Sequence, residues 1–436
     1  MRSAYLQHEL GFAGKASPAL WPLRWGEMVR EGTIERPALT LALASVPISI
    51  AAAESFLALV LVSRLLRCLY GADRVVLPRV FWLWLAWAGT EVLAWLFSPE
   101  LRGGWGELRR LLLTGGLFLV LPALRGVGAR LVAWQAVFLS SALGSLFLIG
   151  DFVARLIYYR REISVGKDIS LYLRTGGLLN NWMVYGTVEI LVAAGLVSFW
   201  FAYPEARRRW WPVIALNGVA VVLSLTRTVW VAVFVLLALQ LWWKRSRWLW
   251  LLPALPLLIY ALSPSVVRSR LNVSMHLDYY SNAERFQMLR VGWQMIRSSP
   301  WVGVGPGRID KLYRSYLAPS DPVPAYHGHL HNNLVQMAAQ FGVPVALAAL
   351  LFTGLLLRDL IRAAREAKTR EDQFSCQAGL LSLAGFLVAG CFDYTYGHSL
   401  ALILLAFAAL SPLPAGSWSR SSSEGGKPLV APLQAH

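Results

Sequence analysis

Twelve stretches of the chain are apolar enough to lie in hydrocarbon, near residues 38–51, 53–66, 79–97, 108–123, 128–150, 182–202, 210–225, 228–243, 248–262, 333–357, 374–394 and 398–411. A helix needs about 20 apolar residues to cross a bilayer core, with some tolerance for tilt. Irregular backbone exposed to lipid is excluded, because its polar groups would have no partners there. The pattern therefore predicts an all-α polytopic membrane protein with about 12 transmembrane helices. Several runs are short, and the first two could form one broken hairpin.

Composition agrees. Of the 436 residues, 56% are hydrophobic and only 15% charged, against about a quarter charged in soluble domains. Twenty tryptophans suit membrane interfaces. The net charge of +17 would suggest nucleic acid in a soluble chain. In a membrane chain it suits basic inner loops and lipid phosphates instead, so membrane lipids are expected as partners and nucleic acid is not.

Loop charges orient the bundle. With the N-terminus inside, every second connection is basic: Arg67, Arg74 and Arg79; Arg125 and Arg130; Arg207 to Arg209; Lys244, Arg245 and Arg247; and Arg358 to Arg370. The expected layout is a cytoplasmic segment at 1–36, helices one to nine at 37–262, a large outer loop at 263–332, helices ten to twelve at 333–411 and a disordered cytoplasmic tail at 412–436. The first helix is expected to act as an uncleaved signal. Cys68, Cys376 and Cys391 lie too far apart in sequence to suggest a CxxC metal knuckle or a disulfide framework.

Two outer connections are basic against this rule. One carries Arg155, Arg160, Arg161 and Arg174, read as lipid-phosphate contacts. The other, 263–332, has eight Lys or Arg against four acids. Long loops translocate despite such charge, but a basic outer loop also suits an anionic substrate. Four of the seven histidines lie in it, at His276, His327, His329 and His331.

HxHxH can supply metal ligands, though a zinc site usually wants further donors, and the nearest acid, Asp321, lies across two prolines. An acid–base reading needs less. Neutral imidazole accepts a proton from an attacking hydroxyl. His331 stands where a helix opens at Asn332 and Asn333, and a helix N-terminus favours anions and a neutral imidazole. Arg227 lies between two apolar spans, where charge is costly and commonly functional. Arg285 opens an amphipathic stretch. Arginine forks suit diphosphate. The run Pro300 to Gly307 permits a tight turn but lacks the GK[ST] of a phosphate loop. No DxD pair is present to hold a sugar diphosphate through a metal, so an arginine clamp is the alternative.

Taken in order, these pieces resemble the O-antigen ligase and polymerase superfamily of bacterial envelope proteins. The resemblance rests on Thr226-Arg227-Thr228-Val229-Trp230, on Arg285 placed fifteen residues before Pro300, on Pro300 to Gly307, and on His331-Asn332-Asn333-Leu334 with Gly342. It covers about 225–350. Leu289 stands where the family often has Trp, with Trp293 a turn later, which leaves Arg290 as a rival to Arg285. The resemblance implies a lipid-linked-sugar glycosyltransferase fold of the GT-C type, about twelve spans, and metal- and cofactor-independent chemistry at the periplasmic face of the inner membrane. It implies transfer of polysaccharide from undecaprenyl diphosphate to lipid A–core. In that reading His331 is the base, with His329 as second choice or as its orienting partner, and Arg227, Arg285 or Arg290, and Asn332 hold the donor. An O-antigen polymerase, a protein-directed oligosaccharyltransferase and a lipid-linked sugar transporter are the alternatives.

Overall fold

The computed structural model describes residues 33–71, 77–126, 128–165, 169, 171–274, 280–319, 321–324 and 327–413. His276, Lys167 and Arg74, most of the N-terminal segment and all but the first residues of the tail lie outside them.

No strand occurs among the described residues. A short α1 (Glu35–Ser45) turns at Pro47 into α2 (Ile50–Leu69), whose first turn is capped by Ser49 accepting from the Ala52 N–H. The pair packs as a hairpin. Next come α3 (Arg79–Leu96), α4 (Trp105–Val120) and the long α5 (Ala129–Tyr158), with a short α6 (Arg160–Ser164) after it. Asn181 then caps α7 (Trp182–Ala202) by accepting from Met183 and Val184. A tight turn joins α8 (Arg207–Leu223) to α9 (Arg227–Trp243), and two shorter helices follow, α10 (Ala254–Leu262) and α11 (Ser265–Ser274). The rest of the long loop contains α12 (Tyr280–Ser298) and the single turn α13 (Ile309–Leu312). Finally α14 (Asn333–Phe341), α15 (Val343–Glu366), α16 (Arg370–Gly390) and α17 (Ser399–Leu410) complete the bundle.

Among the described residues, four helices are long and apolar enough to cross a membrane: α5, α7, α15 and α16. The shorter apolar helices include α9 and α17. The most enclosed of the long helices, α7 and α16, pack along each other at the centre. Beyond the charged first turn of α16, neither confines its apolar residues to one side, as suits a helix in a bundle interior. Aromatic rings near the starts of α5, α8 and α16 and the ends of α7 and α17 pack together: Trp134, Phe138, Phe199, Trp210, Phe374 and Phe407.

Two expected spans are corrected, and the first two runs form the broken hairpin that the sequence allowed. The run 333–357 is two helices, because Gly342 takes φ +94° and breaks it. The run 248–262 yields only a 3-10 turn and the nine-residue α10; Pro253 and Pro256 withhold backbone donors. At 1.5 Å per residue α10 covers about 14 Å, well short of a bilayer core. The run 38–51 gives the eleven-residue α1, which ends before Pro47.

Charged groups gather at two separate ends. At one, Glu35 pairs with Arg67 at 3.1 Å, Arg130 with Asp372 at 2.6 Å, and Arg370 with Glu205. All belong to connections that the charge alternation assigns to one side. At the other end Lys311 pairs with Glu100 at 2.7 Å and Arg227 donates to Ser281 at 2.8 Å. The candidate site lies there.

Candidate active site

Two helix starts build the site. At the first, Ser224 ends α8 and the buried Leu225 sits at φ +50°. A branched residue there is strained, and the strain makes the reversal abrupt enough to present Arg227 at the first position of α9. Trp230, one turn on, returns its indole N–H to the Val221 carbonyl at 2.9 Å, closing the last turn of α8. The Thr-Arg-Thr-Val-Trp pattern is thus a turn that stitches itself shut.

At the second start, His331 adopts φ +49°, and Asn332 caps α14 by accepting from Val335 N–H at 3.0 Å. The strained residue is held on both sides. Leu330 is buried and its N–H reaches Gln336 Oε1 at 2.7 Å. Three consecutive side chains then grip the connection between α16 and α17. His331 Nδ1 meets Asp393 Oδ1 at 3.0 Å, Asn332 Nδ2 donates to the Cys391 carbonyl at 3.1 Å, and Asn333 Nδ2 donates to Thr395 Oγ1 at 2.8 Å.

The glycine run explains the break at Gly342. Val304 and Gly305 N–H groups bond the Ala339 and Gln340 carbonyls at 2.8 and 3.1 Å, and Val343 N–H bonds Pro300 O at 2.8 Å. The loop backbone therefore satisfies the last carbonyls of α14, which would otherwise be orphaned. A Cβ on Gly303 would lie 2.3 Å from the Gln340 carbonyl carbon, and one on Gly342 2.3 Å from the Trp301 oxygen. These glycines allow backbone to touch backbone; they do not cradle a phosphate.

Asp393 is the residue that sequence reasoning missed. Burial would raise its carboxyl, but the His331 hydrogen bond and the neighbouring His398, His331 and His329 outweigh that and hold it below the usual carboxylate range. An ionised carboxylate only accepts, so the His331 Nδ1–H donates to it, an arrangement that in a neutral imidazole leaves Nε2 to accept a proton. His329 packs edge-on against His331, with ring centroids 4.2 Å apart. Burial, with His331 beside it, pushes the His329 imidazole down to about 4. His327 points elsewhere, 3.4 Å from Asp310. The HxHxH run is therefore divided rather than one ligand set. His329, His331 and Asp393 do offer ligand atoms within 4.8 Å of one another, so two nitrogens and one oxygen are available to a metal.

Arg227 and Arg285 line the same cleft as Asp393 and Thr395, together with Arg174. Burial lowers the Arg285 guanidinium, and the like charges of Arg227 and Arg270 add to this, against the opposing Asp393. Arg270 is wholly buried close by. The Nε of Arg174 is buried without a hydrogen-bond partner among the described residues. Arginines so crowded, around a carboxylate already engaged by His331, favour an anion between them.

The other candidates lie apart. Arg290 has a side chain 66% exposed and pairs with Asp321 at 3.5 Å, so the structure brings Arg285, not Arg290, into the cleft. Asn332 has both ends of its amide engaged by the cap and by Cys391; its role is to place His331. Arg155 pairs with Asp151 at 3.2 Å, and Arg160 and Arg161 are exposed on α6. Among the described residues of that basic connection, only Arg174 enters the cleft.

Residues 212–350 match the family model for O-antigen ligase. The match supports membership of the O-antigen ligase family. It begins in α8 and ends in α15, and it includes Arg227, Arg285, the glycine run and His331. No curated protein matches the chain. Asp393 lies outside the matched segment and is brought to His331 by the α16–α17 connection.

Proposed function

We propose that the chain is an O-antigen ligase that transfers polysaccharide from undecaprenyl diphosphate to a sugar hydroxyl of lipid A–core, at the periplasmic face of a bacterial inner membrane. The observation that carries this reading is one arrangement: a histidine whose Nδ1 is tied to a carboxylate, beside a cleft of three arginines. In the proposed topology about twelve helices span or enter the bilayer in a GT-C-like bundle, with both termini cytoplasmic and His331 periplasmic.

His331 Nε2 takes the proton of the acceptor hydroxyl while Asp393 keeps Nδ1 protonated and steadies the imidazolium that forms. The acceptor oxygen attacks the anomeric carbon, the bond from that carbon to the diphosphate oxygen breaks, and the configuration inverts. Arg227, Arg285 and Arg174 neutralise the departing diphosphate, the task a divalent metal performs in other sugar transferases. An apolar groove of about 420 Å³ begins at Arg227 and passes Trp230, Phe234, Leu237 and Ile259. A polyprenyl tail lying there would place its diphosphate at the arginines.

The test is reconstitution with lipid-linked saccharide and purified lipid A–core in excess chelator. Glycosylated lipid A is the expected product. Product found only on the carrier lipid would mean polymerase chemistry. Activity lost to chelator and restored by a divalent ion would assign His329, His331 and Asp393 to a metal.

A further inference from the structure

A second cavity, of about 390 Å³, opens between α2 and α4 and is closed at one end by the α16–α17 connection through Tyr396 and Gly397 and by Ser399 at the start of α17. None of its helices lines the apolar groove below Arg227. Its lining changes character along its length. Glu54, Glu107, Arg109 and Ser399 stand at one end, and Leu57, Leu61, Leu113 and Val120 continue from there. A side-chain carbon on Gly116 would lie 3.6 Å from Leu61. Since α3 intervenes, α2 and α4 run the same way, so Glu54 and Arg109, each seven residues earlier, share a level. From Gly106 to Val120 the cavity follows α4 for about 21 Å, which suits a fatty acyl chain beneath a polar head.

The polar end is fixed and touches the site. Arg110 is buried between Glu107, the Tyr394 hydroxyl and Glu91, the last at 3.3 Å. Tyr394 donates to Glu107 at 2.7 Å and its ring centroid lies 6.1 Å from that of His329. Asp393 precedes Tyr394 in the chain, so one short connection serves the arginine cleft with Asp393 and this cavity with Tyr396. Arg109 is exposed and pairs with no carboxylate among the described residues. Carboxylates repel a diphosphate but accept hydrogen bonds from sugar hydroxyls, and one exposed arginine suits one phosphate group.

We propose that this cavity seats the acceptor, an acylated and phosphorylated glycolipid. Its chain lies along α2 and α4, its phosphate meets Arg109, and its sugar hydroxyl reaches His331 past Tyr394. The proposal rests on the transferase reading for its name as an acceptor site, but binding alone tests it. The full chain in lipid nanodiscs is offered purified lipid A–core or undecaprenyl diphosphate, each without the other, and retention is measured for the parent, Gly116→Leu and Arg109→Glu. Both variants are expected to weaken lipid A–core retention about tenfold or more, a change of about 1.4 kcal/mol, with undecaprenyl diphosphate retained as in the parent. Arg109 is exposed, so R109E carries the test if G116L fails to fold. Loss of undecaprenyl diphosphate instead, or unchanged retention of both lipids, overturns the proposal. If the parent binds lipid A–core, both variants lose it and no transfer occurs, the site stands and the transferase reading fails. If transfer occurs and the variants bind lipid A–core normally, the reverse holds.

Discussion

The decisive pair is His331 and Asp393. Replacing His331 with Ala removes the base and is expected to abolish transfer while the protein still inserts. Asp393→Asn is the sharper experiment, because the amide can donate to Nδ1 and so favour the wrong tautomer; transfer should fall by about 10²- to 10⁴-fold with the fold intact. Transfer within a few fold of the parent would remove Asp393 from the mechanism. His329 leaves a different signature. Its folded pKa, about 4, lies below the ordinary 6.5. On acidification the unfolded chain takes up this proton first, so stability is lost as pH falls through that window and is intact above it. The thermal midpoint of His329→Gln should therefore drop less between pH 7 and 4 than that of the parent. Equal drops would mean the imidazole is not held neutral. The same residues show what sequence can reveal. His331, Arg227 and Arg285 were legible because each sits in a local pattern with a recognisable neighbour. Asp393 was not: it ends an apolar run, looks like the edge of a span, and gains meaning only through His331, 62 positions away.

Helices were legible in place but not always in length. Hydropathy counts side chains, and it reads 333–357 as continuous. The interruption at Gly342 is a backbone event, set by the loop 300–307 docking on the end of α14. Likewise 248–262 is apolar throughout, yet two prolines leave it without the donors a long helix needs. The glycine run looked like a turn of unknown purpose, and only the contact it makes explains it. Substituting Gly303 tests that explanation. Its φ is +69° and a Cβ would overlap the Gln340 backbone. Gly303→Ala should thus cost a few kcal/mol, more than the roughly 1 kcal/mol typical of a single change. Circular dichroism melts in detergent would read it, and a midpoint within a degree or two of the parent would refute the docking role. Transfer should fall with it, although Gly303 touches no substrate.

For the molecule as a whole, the two charged ends give a way to fix orientation with cysteines already present. Cys391 is exposed beside Asp393, whereas Cys68 ends α2 at the end where Glu35 and Arg67 pair. In intact inner-membrane vesicles with the periplasmic face outward, a membrane-impermeant maleimide should label Cys391 and spare Cys68; labelling of Cys68 alone would invert the proposed topology. The shared α16–α17 connection has a kinetic consequence too. It stands between an arginine cleft reached along α9 and a cavity reached between α2 and α4, so neither lipid must depart before the other arrives. Turnover should pass through a ternary complex. Initial rates measured against both substrates would then give intersecting double-reciprocal lines rather than the parallel lines of a substituted-enzyme scheme, and arrival of the two lipids in either order should lead to the same product.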